Sequence, residues 1–361
     1  MMKPDCLVAG GGIIGLMTAR ELRKEGLSVT LVERRQVGQE ASWASSGILS
    51  PMYPWRHPPA VTVLTRWAEL RYEQVAGLLQ EESGIDPEWR LSGMLILDRE
   101  EKEPALQWAA QHGVAMQWLQ GDELHEIEPH VNRREFETAL WMPRAAQIRP
   151  PRLLRALQVS ARRIGVKVLE DTPVLSLISR NGKITGVETP SGPLEAECVV
   201  IATGAWSRTF LDESQVNVDI RPVRGQIVLF QGAPGWLTRM LMHRDQYLVP
   251  RADGHILAGS TVEHVGFDKQ TTAAAAETLR QASRRMVPAL DRYPIEKQWA
   301  GLRPGRENNI PVIGRHPALE GLYINAGHFR CGVVMAPASA RLLADLILGR
   351  TPIVDPRPYA L

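Results

Sequence analysis

The segment Cys6-Leu-Val-Ala-Gly-Gly-Gly-Ile-Ile-Gly15 is a short apolar strand that runs directly into a glycine-rich turn and a helix predicted over 16–26. In the pattern Gly10-x-Gly12-x-x-Gly15, the first glycine permits a tight turn and the second lets the backbone approach a pyrophosphate. The third allows the helix to pack closely on the strand, and the positive end of the helix stabilises the anion. The segment therefore predicts the first half of a parallel, dinucleotide-binding α/β unit. The alternative is a glycine-rich turn that binds no ligand.

A carboxylate at the end of the second predicted strand, 28–33, narrows the choice of nucleotide. Glu33 stands where an acid accepts hydrogen bonds from a ribose diol, which disfavours the 2′-phosphate of NADP. The motif alone leaves NAD and FAD open. An NAD domain usually completes itself contiguously, whereas here the nucleotide fold returns at 199–204 and 301–332. Such scattered segments favour FAD, whose long tail and isoalloxazine ring need contacts from separate parts of the chain.

Length and composition limit the class of protein. A chain of 361 residues with 44% hydrophobic and 23% charged residues is long enough for two globular domains. Its 42 basic and 40 acidic side chains nearly cancel, so a nucleic-acid partner is not indicated. No apolar run reaches the roughly 18 residues of a membrane span, and Asp5 and the glycines argue against a signal peptide over 7–19.

The cysteines and histidines point away from disulfide and metal chemistry. Cys6, Cys198 and Cys331 are odd in number and lack CxxC spacing, which favours a reducing cytoplasm. The nine histidines form no HExxH pattern, and no GxSxG elbow occurs. We therefore expect neither a metal site nor acyl transfer.

The second half of the chain has a different pattern. Alternating strands are predicted over 226–230, 247–250 and 255–260, followed by a helix over 273–286. This alternation is typical of an antiparallel sheet with one buried face. It predicts a second layer, distinct from the N-terminal parallel unit.

Six short motifs, spread over nearly the whole chain, resemble those of the glycine oxidase and D-amino-acid oxidase family of FAD enzymes, especially its thiamine-pathway glycine oxidases. They are Val8-Ala-Gly-Gly-Gly-Ile-Ile-Gly15, Ser46-Gly-Ile-Leu49, Ala202-Thr-Gly-Ala-Trp206, Trp299-Ala-Gly-Leu-Arg-Pro-Gly305, Ile313-Gly-Arg-His-Pro317 and Ala326-Gly-His-Phe-Arg330. No single motif is specific, but the combination is.

The resemblance implies a fold of mixed α/β and α+β class. It implies a discontinuous Rossmann-like FAD-binding domain (1–85, 147–218 and 300–361) and a substrate-binding domain on a mixed, largely antiparallel sheet (86–146 and 219–299). It also implies non-covalent FAD and oxidation of glycine, sarcosine and small D-amino acids, with oxygen reduced to hydrogen peroxide. A cytoplasmic homotetramer that supplies the glycine imine for the thiazole of thiamine would fit this family.

The resemblance also implies site residues, position by position. With the three motif glycines, Gly10, Gly12 and Gly15, the FAD contacts would be Ile13, Ile14, Glu33, Arg34, Ala41, Ser42, Ser46, Gly47, Ile48, Val174, His328, Phe329, Arg330, Cys331, Gly332, Val333 and Val334. The substrate contacts would be Tyr247, Arg303 and Arg330. Two positions depart from the expected pattern: Cys331 replaces an Asn, which affects hydrogen bonding near the ring, and Ile48 replaces a Met, which affects pocket size.

The chemistry of these residues suits an amino-acid substrate. Arg303 offers a planar fork that can hold a carboxylate at two points, and the Tyr247 hydroxyl could donate to the same group. The alternative role of Arg303 is an ordinary ion pair, and the alternative role of Tyr247 is that of an aromatic side chain packed within a strand. Arg330 could close the pocket, contact the flavin or brace its loop. A helix predicted over 333–348 would direct its positive end toward N1 and C2=O of the flavin.

Two other functions remain open from the sequence. One is a D-amino-acid or sarcosine-type dehydrogenase that passes electrons to a quinone or carrier. The other is a flavin-binding module without catalysis.

Overall fold

The glycine-rich turn follows β1 (Cys6–Ala9), a central strand of a mostly parallel sheet. In the computed structural model, which describes residues 3–361, this sheet has six strands, numbered here along the chain. In spatial order they are β18 (Val312–Arg315), β19 (Leu322–Ala326), β12 (Cys198–Ile201), β1 (Cys6–Ala9), β2 (Val29–Val32) and β8 (Lys167–Leu169). All neighbouring pairs are parallel except β18 and β19. The four residues of β1 are all buried, as expected of a strand covered on both faces.

Helices cover one face of this sheet. The innermost are α1 (Ile13–Lys24), α6 (Pro150–Arg163) and α9 (Gly332–Ile347), with α2 (Pro59–Glu69) and α3 (Tyr72–Ser83) packed around them. Leu16 of α1 and Leu343 of α9 are fully buried in the resulting core. The other face is covered by a small antiparallel sheet of β9 (Ser176–Arg180), β10 (Lys183–Glu188) and β11 (Leu194–Glu195).

A second large sheet has eight strands and is antiparallel except for one parallel pair, β14 with β4. In spatial order its strands are β17 (Ile295–Gly305), β13 (Arg221–Gln231), β16 (His255–Gly259), β15 (Gln246–Pro250), β14 (Met240–His243), β4 (Met94–Ile96), β6 (Thr138–Met142) and β5 (Gln117–Gln120). A two-stranded ribbon joins β3 (Arg90–Leu91) to β7 (Ala146–Gln147).

The eight-stranded sheet directs alternate side chains to opposite faces. On β15, Leu248 joins the apolar core on one face, whereas Tyr247 and Val249 belong to the core on the other. Helix α8 (Ala273–Met286) packs on the Leu248 face. The opposite face is therefore the one from which Tyr247 can reach a ligand.

Three further α-helices lie within the described residues 3–361. They are α4 (Lys102–His112), α5 (Asp122–Ile127) and α7 (Ser207–Glu213). Within the part of the chain described, residues 3–361, no helix is both long and apolar enough to cross a membrane.

The structure confirms the predicted class of fold and adjusts several bounds. Helix α1 begins at Ile13, directly after the turn, rather than at residue 16. The strand predicted over 226–230 lies in the second half of the longer β13, Arg221–Gln231. Strand β17 runs through residue 300, where the predicted boundary between the two domains falls. The domain division itself stays a prediction.

Candidate active site

A cavity of about 390 Å³ extends from the glycine-rich turn to the eight-stranded sheet. Its volume is within the usual range for ligand pockets, roughly 300–1,000 Å³. Most of the residues predicted from sequence lie on its wall. They are Gly10, Gly12, Ile13, Ile14, Glu33, Arg34, Ala41, Ser42, Ser46, Ile48, Val174, Tyr247, Arg303, His328, Phe329, Arg330, Gly332 and Val333.

The glycine-rich turn forms one end of the cavity. Gly10 has a φ of +111°, and a Cβ on it would lie 2.4 Å from the carbonyl oxygen of Ala202, so only glycine fits. Gly12 precedes α1 and has no side chain to cap it, which leaves the helix N-terminus open to the cavity. Ser42 Oγ accepts a hydrogen bond from the Ile13 N–H at 3.0 Å. This is the cradle that a pyrophosphate requires.

Glu33 is held in place at the end of β2. Its carboxylate accepts hydrogen bonds from the backbone N–H groups of Gly11 (2.7 Å) and Arg35 (3.1 Å). Beside it, the guanidinium of Arg34 lies 3.5 Å above the ring of Trp206, which also lines the cavity. A fixed acid next to a pyrophosphate cradle is the arrangement that binds a nucleotide ribose, and the residues at this end of the cavity fit the adenosine half of FAD.

The turn before α9 forms the wall farther along the cavity. His328 is buried, and its Nε2 lies 2.9 Å from Ser339 Oγ. Burial lowers the pKa of His328 to about 3, so the ring is neutral at physiological pH. Gly332 and Val333, the first residues of α9, face the cavity. The positive end of this 16-residue helix therefore lies at the cavity wall, where it would stabilise negative charge on a bound ring.

Arg303 projects from β17 into the same cavity. Its Nη2 donates to Ser260 Oγ at 2.7 Å, and its Nη1 donates to the Thr261 carbonyl at 3.1 Å. Both acceptors are uncharged, and no ion pair with Arg303 occurs within residues 3–361. Burial lowers the pKa of Arg303, and the nearby Tyr247 opposes this shift. Covering a cation without an anion is costly, so this partly buried guanidinium offers a site for a ligand carboxylate.

Two glycines, one within β13 and one at the end of β16, make room for these side chains. A Cβ on Gly225 of β13 would lie 2.2 Å from both Nη atoms of Arg303. A Cβ on Gly259 of β16 would lie 2.6 Å from the hydroxyl of Tyr247, its partner across the ladder. Sequence reasoning missed both glycines. The available signal was a glycine within a strand, which often marks a close approach.

Arg330 lies on the cavity wall next to the turn between β14 and β15. Its Nη1 donates to Asp245 Oδ1 at 3.1 Å and lies 4.0 Å from Met52 Sδ. Unlike Arg303, it therefore has a carboxylate partner within the chain. Met52, Ser260 and Trp206 also line the cavity and were not predicted.

Four predicted contacts do not line the cavity. Gly15 packs on the carbonyl of Gly10, and a Cβ on Gly47 would lie 2.0 Å from the Ile148 carbonyl oxygen. Cys331 and Val334 are buried in the core between α9 and its neighbours. Burial raises the pKa of the Cys331 thiol to about 12. The Cys331 side chain therefore does not present a hydrogen-bonding group to the cavity.

Comparisons with known proteins agree with this site. The model of the DAO family, described as FAD dependent oxidoreductase, matches residues 5–346. A glycine oxidase of Pseudomonas aeruginosa is 44% identical over 361 residues, covering 99% of each chain. The bifunctional protein ThiO/ThiG of a Nostoc species is 30% identical and matches 96% of this chain and 53% of its own length.

The fold comparison gives the same result. The crystal structure of glycine oxidase from Geobacillus kaustophilus superposes with a TM-score of 0.95 at 28% identity, covering 100% of this chain and 99% of that one. The family match spans both large sheets and every residue on the cavity wall named above. The chain belongs to the DAO family of FAD-dependent oxidoreductases.

Proposed function

We propose that this enzyme oxidises glycine and related small amines, such as sarcosine and small D-amino acids, and reduces oxygen to hydrogen peroxide. One observation carries the proposal: the partly buried guanidinium of Arg303, which has no ion-pair partner within residues 3–361, lies in the same cavity as the FAD-binding turn. The names of the Pseudomonas and Geobacillus relatives support glycine as the substrate.

The chain's own residues position the substrate. Arg303 holds the carboxylate at two points, and Tyr247 donates its hydroxyl to the same group. A fixed carboxylate directs the α-carbon toward the wall formed by the turn before α9. Binding in this single orientation places the substrate in a near-attack geometry. FAD, when bound, supplies the hydride acceptor for the α-carbon and returns the electrons to oxygen.

His328 places an uncharged ring on the cavity wall. The substrate must lose its ammonium proton before its α-carbon can give up a hydride, and a neutral imidazole does not shift the pKa of that amine through a charge. Since burial lowers the pKa of His328 to about 3, its ring stays neutral. The remaining proposed roles follow the resemblance: a cytoplasmic homotetramer that supplies the glycine imine for the thiazole of thiamine.

The purified protein is expected to be yellow and to produce peroxide from glycine. Anaerobic mixing with glycine should bleach the flavin absorbance, because the electrons then stay on the flavin. A peroxide assay under air and a parallel assay with an artificial electron acceptor measure the two half-reactions. Turnover with the artificial acceptor but not with oxygen would favour the dehydrogenase, and bound flavin that glycine and the other small amines leave unbleached would favour a non-catalytic module.

The substitution Gly225→Ala is expected to raise KM for glycine while FAD stays bound. The added methyl group would occupy the place of both Arg303 Nη atoms, so the guanidinium must move. A displacement of about 1 Å in a positioning group can cost roughly 100-fold in rate. Steady-state kinetics over a range of glycine concentrations measure the effect, with the flavin-to-protein absorbance ratio as the check on FAD.

Gly77→Ala is the matched control for this substitution. Gly77 lies within α3, and a Cβ on it meets nothing within 4 Å. Its kinetics should match those of the unsubstituted enzyme. Equal KM values for Gly225→Ala and the unsubstituted enzyme would contradict the assigned position of Arg303.

A further inference from the structure

Three arginines line the cavity: Arg34 lies at the nucleotide end, and the other two, Arg303 and Arg330, differ in one respect. Arg303 donates only to uncharged oxygens, whereas Arg330 forms an ion pair with Asp245 at 3.1 Å. Arg330 is largely covered, with 26% of its side chain exposed, and its buried Nε has no hydrogen-bond partner. The chain thus supplies a carboxylate for one cavity arginine and leaves the other for a ligand.

The backbone beside Asp245 is fixed by hydrogen bonds, although 65% of the Asp245 side chain is exposed. Asp245 lies at the tip of the β14–β15 hairpin. The preceding Arg244 has a φ of +54°, and its N–H lies 3.0 Å from each oxygen of the buried Asp98 carboxylate. The hydroxyl of Tyr53 donates to Asp98 Oδ2 at 2.6 Å. The hairpin tip is therefore anchored to the loop that carries Met52, which also contacts Arg330.

This anchoring keeps Asp245 beside Arg330, which lines the cavity. With Asp245 in place, Arg330 is neutralised, and a second negative charge entering beside it meets a carboxylate of like sign. A second ligand carboxylate must either compete with Asp245 for Arg330 or remain unpaired. Either outcome lowers affinity, because a charge in a partly covered site needs a partner.

We propose that Asp245 is a specificity-determining residue that restricts the enzyme to substrates with a single carboxylate. It acts through Arg330, which without Asp245 would be free to bind a second acid group. The proposal rests on the proposed function for the position of the first carboxylate at Arg303. It predicts that secondary amines with two carboxylates, such as iminodiacetate, bind poorly compared with sarcosine, which has one.

Binding is tested without turnover by two unreactive ethers. Oxydiacetate carries two carboxylates and methoxyacetate carries one, and both replace the amine by oxygen. Isothermal titration of the FAD-loaded enzyme gives the Kd of each. In Asp245→Asn, the ratio of the oxydiacetate Kd to the methoxyacetate Kd should fall by roughly tenfold. Arg330 is then free to pair with the second carboxylate of oxydiacetate, and a charge pair at a partly covered site changes affinity by about that factor.

Turnover provides the second readout. The ratio of kcat/KM for iminodiacetate to that for sarcosine should rise by roughly tenfold in Asp245→Asn. Asp245→Glu, which keeps the charge, should retain the original ratio to within about twofold. Asp122→Asn is the matched control, because Asp122 also pairs with an arginine, Arg133, at 3.1 Å but lies away from the cavity.

The outcomes separate this proposal from the proposed function. An unchanged Kd ratio in Asp245→Asn, equal weakening of both ethers, or failure of both ethers to bind would overturn the role of Asp245. Absence of peroxide from glycine together with the expected change in the Kd ratio would overturn the proposed reaction and leave the charge selectivity in place. Flavin content and thermal unfolding of each variant exclude misfolding, and Asp245→Ser provides a second uncharged variant.

Discussion

Arg303→Lys is expected to lower kcat/KM for glycine by about 10³-fold without releasing FAD. The guanidinium is partly buried, forms no ion pair within residues 3–361, and already gives one donor each to Ser260 and Thr261. Lysine retains the charge but has no planar fork, so it cannot hold two carboxylate oxygens while it keeps these contacts. Losing one partner of a buried, hydrogen-bonded charge pair costs about 2–5 kcal/mol.

Rapid anaerobic mixing measures this loss directly. The rate of flavin bleaching, followed as a function of glycine concentration, separates the apparent Kd from the limiting rate. Arg133→Lys is the control, because Arg133 is exposed and pairs with Asp122 outside the cavity. Arg303→Met should lose still more, since it also removes the charge. An apparent Kd for glycine that stays the same in both Arg303 variants would rule out Arg303 as the carboxylate site.

The nucleotide end of the cavity could be predicted from sequence because its constraints are local. Gly10 needs a φ of +111°, and Glu33 follows directly from the end of β2. A strand, a glycine turn and a helix lie next to one another both in sequence and in space. The pattern therefore contains most of the information that determines this part of the site.

Some residues within the predicted runs lie off the cavity wall because of the direction of their side chains. Residues 328–334 were all expected to contact FAD, but successive residues of a helix point about 100° apart. Gly332 and Val333 face the cavity, whereas Val334 faces the core. Likewise Ser46 and Ile48 line the cavity while Gly47, between them, packs on the Ile148 backbone.

The remaining features depend on strands that are distant in sequence. Gly225 accommodates Arg303 because β13 pairs with β17, and Asp245 reaches Arg330 because the β14–β15 hairpin lies next to the turn before α9. Neither contact leaves a local pattern. Arg330 was open to three interpretations from sequence, and its ion pair with Asp245 is what distinguishes it from Arg303.

Substitutions of two glycines in the N-terminal turn are expected to have separate effects, one on the free energy of unfolding and the other on FAD affinity. Gly15→Ala is expected to lower the free energy of unfolding by about 3 kcal/mol or more, at the upper end for overpacking. The new Cβ would lie 1.8 Å from the carbonyl oxygen of Gly10. That oxygen belongs to the backbone and cannot rotate away, so the packing of α1 on β1 must change. Urea unfolding of the apoprotein measures this loss.

Gly12→Ala provides the comparison on the same turn. Its φ of −73° suits any residue, and the nearest atom to the new Cβ would be Ser42 Oγ at 3.3 Å, which belongs to a side chain that can shift. The apoprotein should therefore unfold at nearly the same urea concentration as the unsubstituted chain. FAD affinity, measured by quenching of flavin fluorescence, should nevertheless fall roughly tenfold or more, because the methyl group occupies the space through which a pyrophosphate approaches the helix N-terminus.

If Gly12→Ala bound FAD normally, or if Gly15→Ala unfolded like the unsubstituted chain, the glycines would not have the separate roles assigned to them. A loss confined to FAD affinity in one variant and to stability in the other would show that the turn serves two constraints through different residues.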